Sequence, residues 1–118
     1  MILADTSVWV EHFRKGNEKL KALLNEGQVC CHPYVIGELA CGNLKNRAEI
    51  LSMLSALPDV PLAEHDEILY FIERHKLHGK GIGLIDVHIL ASAFLSSSKL
   101  WALDKALASI ARTLKIGI

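Results

Sequence analysis

Four acidic side chains interrupt apolar stretches of this 118-residue chain and are the residues best suited to chemistry. They are Asp5, Glu38, Asp86 and Asp104. Asp5, Glu38 and Asp86 have no lysine or arginine close enough in sequence to be an obvious counterion. Buried carboxylates are costly unless they are paired or bound to a metal. If the fold gathers them, two unit charges about 4 Å apart repel by roughly 4 kcal/mol at an effective dielectric near 20.

A cation would offset this repulsion, and sites built only from carboxylate oxygens suit Mg²⁺ or Mn²⁺. Such ions serve phosphoryl transfer and phosphodiester hydrolysis, because they lower the pKa of a bound water and stabilise the attacking and leaving oxygens. The simpler alternative is that Asp5, Asp86 and Asp104 each cap a helix, since Asp is a favoured N-cap residue. Glu38 lies well inside its predicted helix and has no such role. For Asp5, Asp86 and Asp104 taken singly, metal binding and helix capping both remain open.

The elements around these acids alternate between strand and helix. Hydrophobic periodicity predicts strands at 1–4, 28–31 and 99–103, an edge strand at 116–118, and helices at 7–14, 17–26, 33–41, 46–57, 64–78, 86–96 and 105–114. This order predicts a parallel sheet covered on both faces, which is a three-layer α/β/α sandwich with about four or five short strands. Asp5 and Asp104 each follow a strand, so both should lie at the carboxyl edge of the sheet, where ligands bind in open α/β folds.

Composition narrows the class of protein. Half of the chain is hydrophobic (51%), and 13 basic residues balance 13 acidic ones. A strongly basic nucleic-acid binder is therefore excluded, and any such binding must use local patches or a metal. Three cysteines without a Cys-x-x-Cys spacing indicate reduced thiols. With no basic leader and no apolar run of roughly 18 residues, we expect a cytoplasmic protein with a single domain over residues 1–118 and no membrane association.

Four segments carry a resemblance to a known family. They are ILADTSVW at 2–9, PYVIGEL at 33–39, GLIDVHILA at 83–91 and LWALDKAL at 100–107. In this order and spacing, the chain resembles a PIN domain, and specifically the VapC-type toxins of toxin–antitoxin pairs. The resemblance covers essentially the whole length and implies a PIN-like fold.

The resemblance also implies a function. Members of the family are Mg²⁺- or Mn²⁺-dependent endoribonucleases that cut structured RNA such as tRNA or ribosomal RNA, form homodimers and are held inactive by a cognate antitoxin. The catalytic and metal-binding residues implied here are Asp5, Glu38, Asp86 and Asp104, with Asp5 and Asp86 the most direct ligands. Thr6 and Ser7 would support them. The position two before the last acid often carries Thr or Ser in the family and is Ala102 here.

Basic residues are the candidates for contacts with the RNA backbone. Arg74, Lys76 and Lys80 belong to the densest basic stretch, and Arg14 belongs to a second, weaker one. Phosphate contacts of this kind position a nucleic acid without reading its sequence. The alternative for the main stretch is a solvated helix end, where cations interact favourably with the helix dipole.

Other classes fit the sequence less well. A signalling receiver needs a phosphoacceptor Asp after a middle strand, but the strand at 28–31 ends in cysteine. A haloacid-dehalogenase-type phosphatase needs a second Asp where Ser7 stands. A catalytically silent PIN-like interaction module remains as the alternative to an active nuclease.

Overall fold

The computed structural model describes all 118 residues. Its strands are β1 (Ile2–Ala4), β2 (Val29–Cys30) and β3 (Lys99–Trp101). Its helices are α1 (Thr6–Lys15), α2 (Glu18–Asn25), α3 (Pro33–Ala40), α4 (Arg47–Ala56), α5 (His65–His75), α6 (Leu84–Ser96) and α7 (Lys105–Thr113). None of the helices combines the length and apolar character that spanning a bilayer requires.

The sheet is parallel with the order β2-β1-β3, as the alternating pattern predicts. Ile2 pairs with Val29 on one side of β1 and with Lys99 on the other. The chain leaves β1 in one direction to reach β2, then crosses back past β1 to reach β3. Because such crossovers are right-handed, connections in opposite directions place helices on both faces of the sheet. The predicted three-layer α/β/α sandwich is confirmed.

The sheet has three strands where four or five were expected. On the β2 side, Cys31 donates its N–H to the carbonyl of Pro58 at 3.1 Å, but a proline cannot donate to a strand ladder. On the β3 side, the predicted edge strand is reduced to one parallel bridge between Leu100 and Gly117. The Gly117 backbone passes so close to α7 that an added Cβ would lie 2.8 Å from the Arg112 nitrogen. Both edges therefore carry single contacts instead of paired strands.

Helix α6 is the centre of the core. Its residues Val87–Ala93 are all buried, in agreement with the apolar, small-residue pattern of this stretch. It packs against α5 and β3. The helix starts at Leu84, two residues before the predicted start, so Asp86 lies within its first turn. The chain thus places an acid at the exposed end of its most buried element.

His32 connects β2 to α3 and is buried, with 1% of its surface exposed. Its Nδ1 accepts the backbone N–H of Tyr34 at 2.9 Å and so caps α3. Its Nε2 is buried without a hydrogen-bond partner. Burial, and to a smaller extent repulsion from His88, lowers the pKa of His32 from 6.5 to about 4. The folded protein therefore holds His32 in the neutral form.

We expect the free energy of unfolding to fall as the pH decreases from about 6.5 to about 4, because the unfolded state then binds more protons than the folded state. Across this window the titration of His32 lowers the free energy of unfolding by about 3 kcal/mol. The full stability is therefore present above about pH 6.5, and this part of it is lost below about pH 4. His32→Asn keeps a capping side chain and removes the titration, so the variant should show a flatter dependence in denaturant titrations. Equal slopes for variant and parent would contradict this assignment.

Candidate functional site

The carboxyl ends of β1 and β3 meet at the site. The Asp5 N–H donates to the Trp101 carbonyl at 2.8 Å, which joins the ends of the two strands. Asp5 directly follows β1, as predicted. Asp104 was expected to follow its strand directly, but β3 ends at Trp101 and two residues intervene. Both acids still lie at the same edge of the sheet, because the parallel strands end together.

Asp5 is a buried carboxylate with 6% of its surface exposed. Its Oδ2 accepts the Ser7 N–H at 3.3 Å and the Ser7 hydroxyl at 2.8 Å, so that it caps α1. Asp5 is therefore a cap and a candidate site residue at once. These donors are neutral, and they compensate only part of the cost of burying a charge.

Ser7 links two parts of the site that are far apart in sequence. Its hydroxyl donates to Asp5 and accepts the Leu103 N–H at 3.0 Å. Leu103 directly precedes Asp104, whose Oδ2 accepts the Leu107 N–H at 2.9 Å and caps α7. One hydroxyl group thus fixes the segment that carries the fourth acid relative to the first acid.

Glu38 reaches the same region from α3. The Thr6 hydroxyl donates to Glu38 Oε1 at 2.6 Å, and Thr6 is the neighbour of Asp5 in sequence. Glu38 lies within its helix and has no capping function. Its side chain is exposed, yet it is directed to the first residue of α1.

Asp86 shows that the four acids share one electrostatic environment. Its Oδ2 accepts the Gly83 N–H at 3.2 Å. Burial raises the pKa of Asp86 above its usual value, and repulsion from Asp5, Asp104 and Glu38 adds to the increase, while the Gly83 hydrogen bond opposes it. The fold therefore gathers the four acids that the sequence singled out, from segments separated by up to about 100 residues.

The carboxylates are near one another, but they do not yet form a ligand cage. No three of the His, Cys, Asp and Glu side chains are arranged to hold an ion between them. Each carboxylate faces a local donor instead: Ser7, Thr6, Gly83 N–H or Leu107 N–H. Mg²⁺ binds through one or two carboxylates and keeps several waters, so it needs no cage of three direct ligands. An all-carboxylate set whose members repel one another fits such an ion.

The basic candidates are separated by the structure. Arg14 lines a cleft of about 740 Å³ that also contains Thr6 and Glu38, and a smaller one of about 240 Å³ that contains Ser7. Arg74, Lys76 and Lys80 line neither of these clefts. Arg74 borders a groove between α5 and α6, and the two lysines lie beside α7. Of the four, Arg14 is the one placed next to the acids.

Sequence reasoning missed two contributors to the site. The Leu103 backbone N–H has no local signal, because its partner is 96 positions away. Lys45 lines the cleft with Glu38 and follows α3 in a polar turn beginning at Gly42. The available signal for Lys45 was its position just beyond the helix that carries the candidate acid Glu38.

Comparison with known proteins identifies the family. The model of the PIN domain family matches residues 2–113. Ribonuclease VapC32 from two strains of Mycobacterium tuberculosis is 44% identical over 108 residues, which cover 91% of this chain and 87% of that protein. The chain belongs to the PIN domain family.

Solved structures agree on the fold. FitAB bound to the IR36 DNA fragment superimposes with a TM-score of 0.64 and 23% identity, covering 95% of this chain and 91% of the other. FitAcB from Neisseria gonorrhoeae gives a TM-score of 0.63 and 24% identity, covering 95% and 94%. At this level of identity the likeness concerns the fold.

Ser7→Ala should lower the free energy of unfolding by about 1–3 kcal/mol, because it leaves Asp5 with one fewer donor and the Leu103 N–H without its partner. Denaturant unfolding measures the change. Ser109→Ala, at an exposed position of α7, is the matched control and should change stability by no more than about 0.5 kcal/mol. Equal changes in the free energy of unfolding for the two substitutions would contradict the structural role assigned to the Ser7 hydroxyl.

Asp86→Asn should raise the thermal midpoint when no divalent ion is added. The raised pKa of Asp86 means that the folded state disfavours its charged form, so the charge costs stability at neutral pH. Asparagine removes the charge and can still accept the Gly83 N–H. Glu49→Gln, at an exposed position of α4, is the control without acidic neighbours from the site. An Asp86→Asn variant with a lower thermal midpoint than the parent would contradict the claim that the charge of Asp86 destabilises the fold.

Proposed function

We propose that this chain is a single PIN domain that acts as an endoribonuclease toxin, hydrolysing phosphodiester bonds of structured RNA with Mg²⁺ or Mn²⁺. The observation that carries the proposal is that Asp5, Glu38 and the segment before Asp104 are linked at one edge of the sheet by the hydrogen bonds of Thr6 and Ser7. Repulsion from these three acids also contributes to the raised pKa of Asp86. The name of the 44% identical relative, a ribonuclease, supports the same reaction.

Asp5 and Asp86 are the proposed direct metal ligands, and Glu38 and Asp104 complete the acidic set. When bound, the divalent ion supplies a water activated for attack and stabilises charge on the phosphate. The chain's own residues hold the acids in place. Thr6 orients Glu38 and Ser7 orients Asp5, through the hydrogen bonds described above. Side chains fixed in this way keep a site preorganised.

Binding of RNA to a chain with zero net charge must use a local basic surface. Arg14 and Lys45 are the proposed phosphate contacts, because they line the cleft that contains Glu38. Lys15 lines the smaller cleft with Ser7 and extends this surface. Arg74, Lys76 and Lys80 remain candidates for more distant parts of a large RNA.

A cognate antitoxin is the proposed regulator. The cleft beside Thr6 and Glu38 continues over apolar residues of three helices: Phe13, Leu39 and Ile50. A segment with apolar side chains followed by a cation would fill the cleft and neutralise the acids. The proposed site of action is the cytoplasm, which suits three free cysteines.

The alternative is a PIN domain that has kept its fold for binding alone. The observation that favours it is the lack of three acids already arranged around an ion position. Calorimetry distinguishes the two. A folded chain that binds neither Mg²⁺ nor Mn²⁺ supports the silent module, whereas saturation at about 100 times the Kd should stabilise an active nuclease by roughly 2.7 kcal/mol.

The purified chain should cleave RNA with Mn²⁺ or Mg²⁺ and stop when a chelator is added. Asp5→Asn and Asp86→Asn should reduce the rate by at least about 100-fold, because even residues that only support a metal ligand change activity by about 10- to 100-fold. The exposed loop acid Asp59 provides the control variant, Asp59→Asn, with the parent rate expected. Mapping of cellular RNA ends after induced expression, compared with Asp5→Asn, then identifies the target.

Cleavage by both site variants at the parent rate, or undiminished cleavage with the chelator present, would remove the proposed mechanism. Circular dichroism shows whether each variant is folded, so that a loss of rate is assigned to the site. Asparagine at position 5 can still cap α1, which favours a folded variant.

A further inference from the structure

The smaller cleft beside the acids combines apolar, acidic and basic side chains. Its lining residues are Ser7, Val10, Glu11, Arg14, Lys15 and Leu103. Its volume of about 240 Å³ is below the roughly 300–1,000 Å³ of pockets that enclose a whole small ligand. The cleft is therefore suited to one ring system of a larger molecule.

The position of this cleft connects it to the acidic edge of the sheet. The Ser7 hydroxyl donates to Asp5 at 2.8 Å, so the cleft begins one hydrogen bond away from that carboxylate. Its far wall is Leu103, the residue directly before Asp104. Val10 and Arg14 line both this cleft and the larger one, and they therefore separate the two. An RNA with a phosphate at the acids would have a neighbouring base beside the smaller cleft.

Glu11 is the acceptor in the cleft, and its carboxylate is oriented by Asn17. The Asn17 Oδ1 accepts the Leu20 N–H at 2.9 Å and caps α2, which fixes the amide. The Asn17 Nδ2 then donates to Glu11 Oε1 at 3.3 Å. A carboxylate has about four acceptor positions on its two oxygens, so one donor leaves acceptor capacity on both of them. The ligand that this group recognises must carry N–H donors.

The remaining residues match the other parts of a nucleotide. Val10 and Leu103 are apolar, yet 40% and 44% of their surfaces are exposed, which provides contact area for the faces of a base. Arg14 and Lys15 are exposed at the cleft. Such cations bind phosphates, and a guanidinium also stacks on an unpaired base.

We propose that this cleft binds an unpaired guanine of the RNA substrate, next to the phosphate held at the acids. Guanine presents two neighbouring donors, N1–H and N2–H, on its Watson–Crick edge, and these match the two oxygens of Glu11. Uracil presents one N–H between two carbonyl groups, which a carboxylate repels. In a duplex the same edge is already paired, so only a base in a loop or single strand enters. The inference rests on the proposed nuclease function for the nature of the ligand.

Binding of short RNA in the Asp86→Asn background tests the cleft without turnover. The probes are a uridine heptamer, the same heptamer with one central guanosine, and one with inosine, which lacks the 2-amino group. Fluorescence anisotropy with Mn²⁺ present should show the guanosine heptamer binding at least about tenfold more tightly than the uridine heptamer. Inosine should lose most of this preference.

Glu11→Gln, added to the same background, exchanges one acceptor oxygen for a donating amide and can still accept the Asn17 Nδ2–H. We expect it to bring the affinities for the guanosine and uridine heptamers within about twofold of each other. Glu26→Gln, at the exposed end of α2, is the matched control and should keep the full preference. Circular dichroism shows whether each variant is folded.

Three results overturn the proposal: equal affinity for the three heptamers or binding of none, an inosine heptamer that binds as tightly as the guanosine heptamer, and a guanosine preference that survives in folded Glu11→Gln. Cleavage by the parent chain separates this proposal from the nuclease function. A parent that cuts RNA while the heptamers bind equally keeps the nuclease function and loses the guanine site. A parent that cuts no RNA while the Glu11-dependent preference holds loses the nuclease function and keeps the site.

Discussion

Mutual repulsion of carboxylates at the carboxyl edge of the sheet is the constraint on which the rest of the structure depends. Asp5 is buried, and the pKa of Asp86 is raised by burial and by the three acids around it. The acids come from four segments, so no local preference brings them together. The core behind them does, and the fully buried stretch of α6 directly follows Asp86. Apolar burial therefore supplies the free energy that the acidic edge costs.

The acids of the candidate site also stabilise the N-termini of helices. Asp5 and Asp104 are the N-caps of α1 and α7, and Asp86 lies in the first turn of α6. The N-terminus of a helix carries unsatisfied N–H groups and a partial positive charge, which stabilise an anion there. A parallel sheet starts its following helices at the same edge, so acids placed as caps are collected in one crevice. The capping interpretation is therefore confirmed for Asp5 and Asp104, and the metal-binding interpretation of the same residues stays a proposal.

Much of the fold could be predicted because its signals are local. Apolar runs such as 1–4, periodic stretches such as 105–114 and breakers such as Gly16 gave elements whose positions agree within a few residues. The number of strands was overestimated, because pairing depends on partners that the pattern does not show, and Pro58 cannot provide a ladder donor. The candidate acids were predictable from residue type and context. The position of Arg14 beside the acids, and of Arg74 away from them, could not be predicted, because it depends on which helices border each cleft.

The alanine at position 102 illustrates how a long-range contact changes the meaning of a local difference. In the family this position often carries a hydroxyl, which Ala102 does not provide. Here the backbone at the end of β3 is fixed without a hydroxyl at position 102. The Trp101 carbonyl accepts the Asp5 N–H, and the Leu103 N–H donates to the Ser7 hydroxyl. Both bonds hold the backbone on either side of position 102. The hydroxyl that orders this edge therefore comes from Ser7 of α1, and the segment before Asp104 is held in place although position 102 carries no hydroxyl.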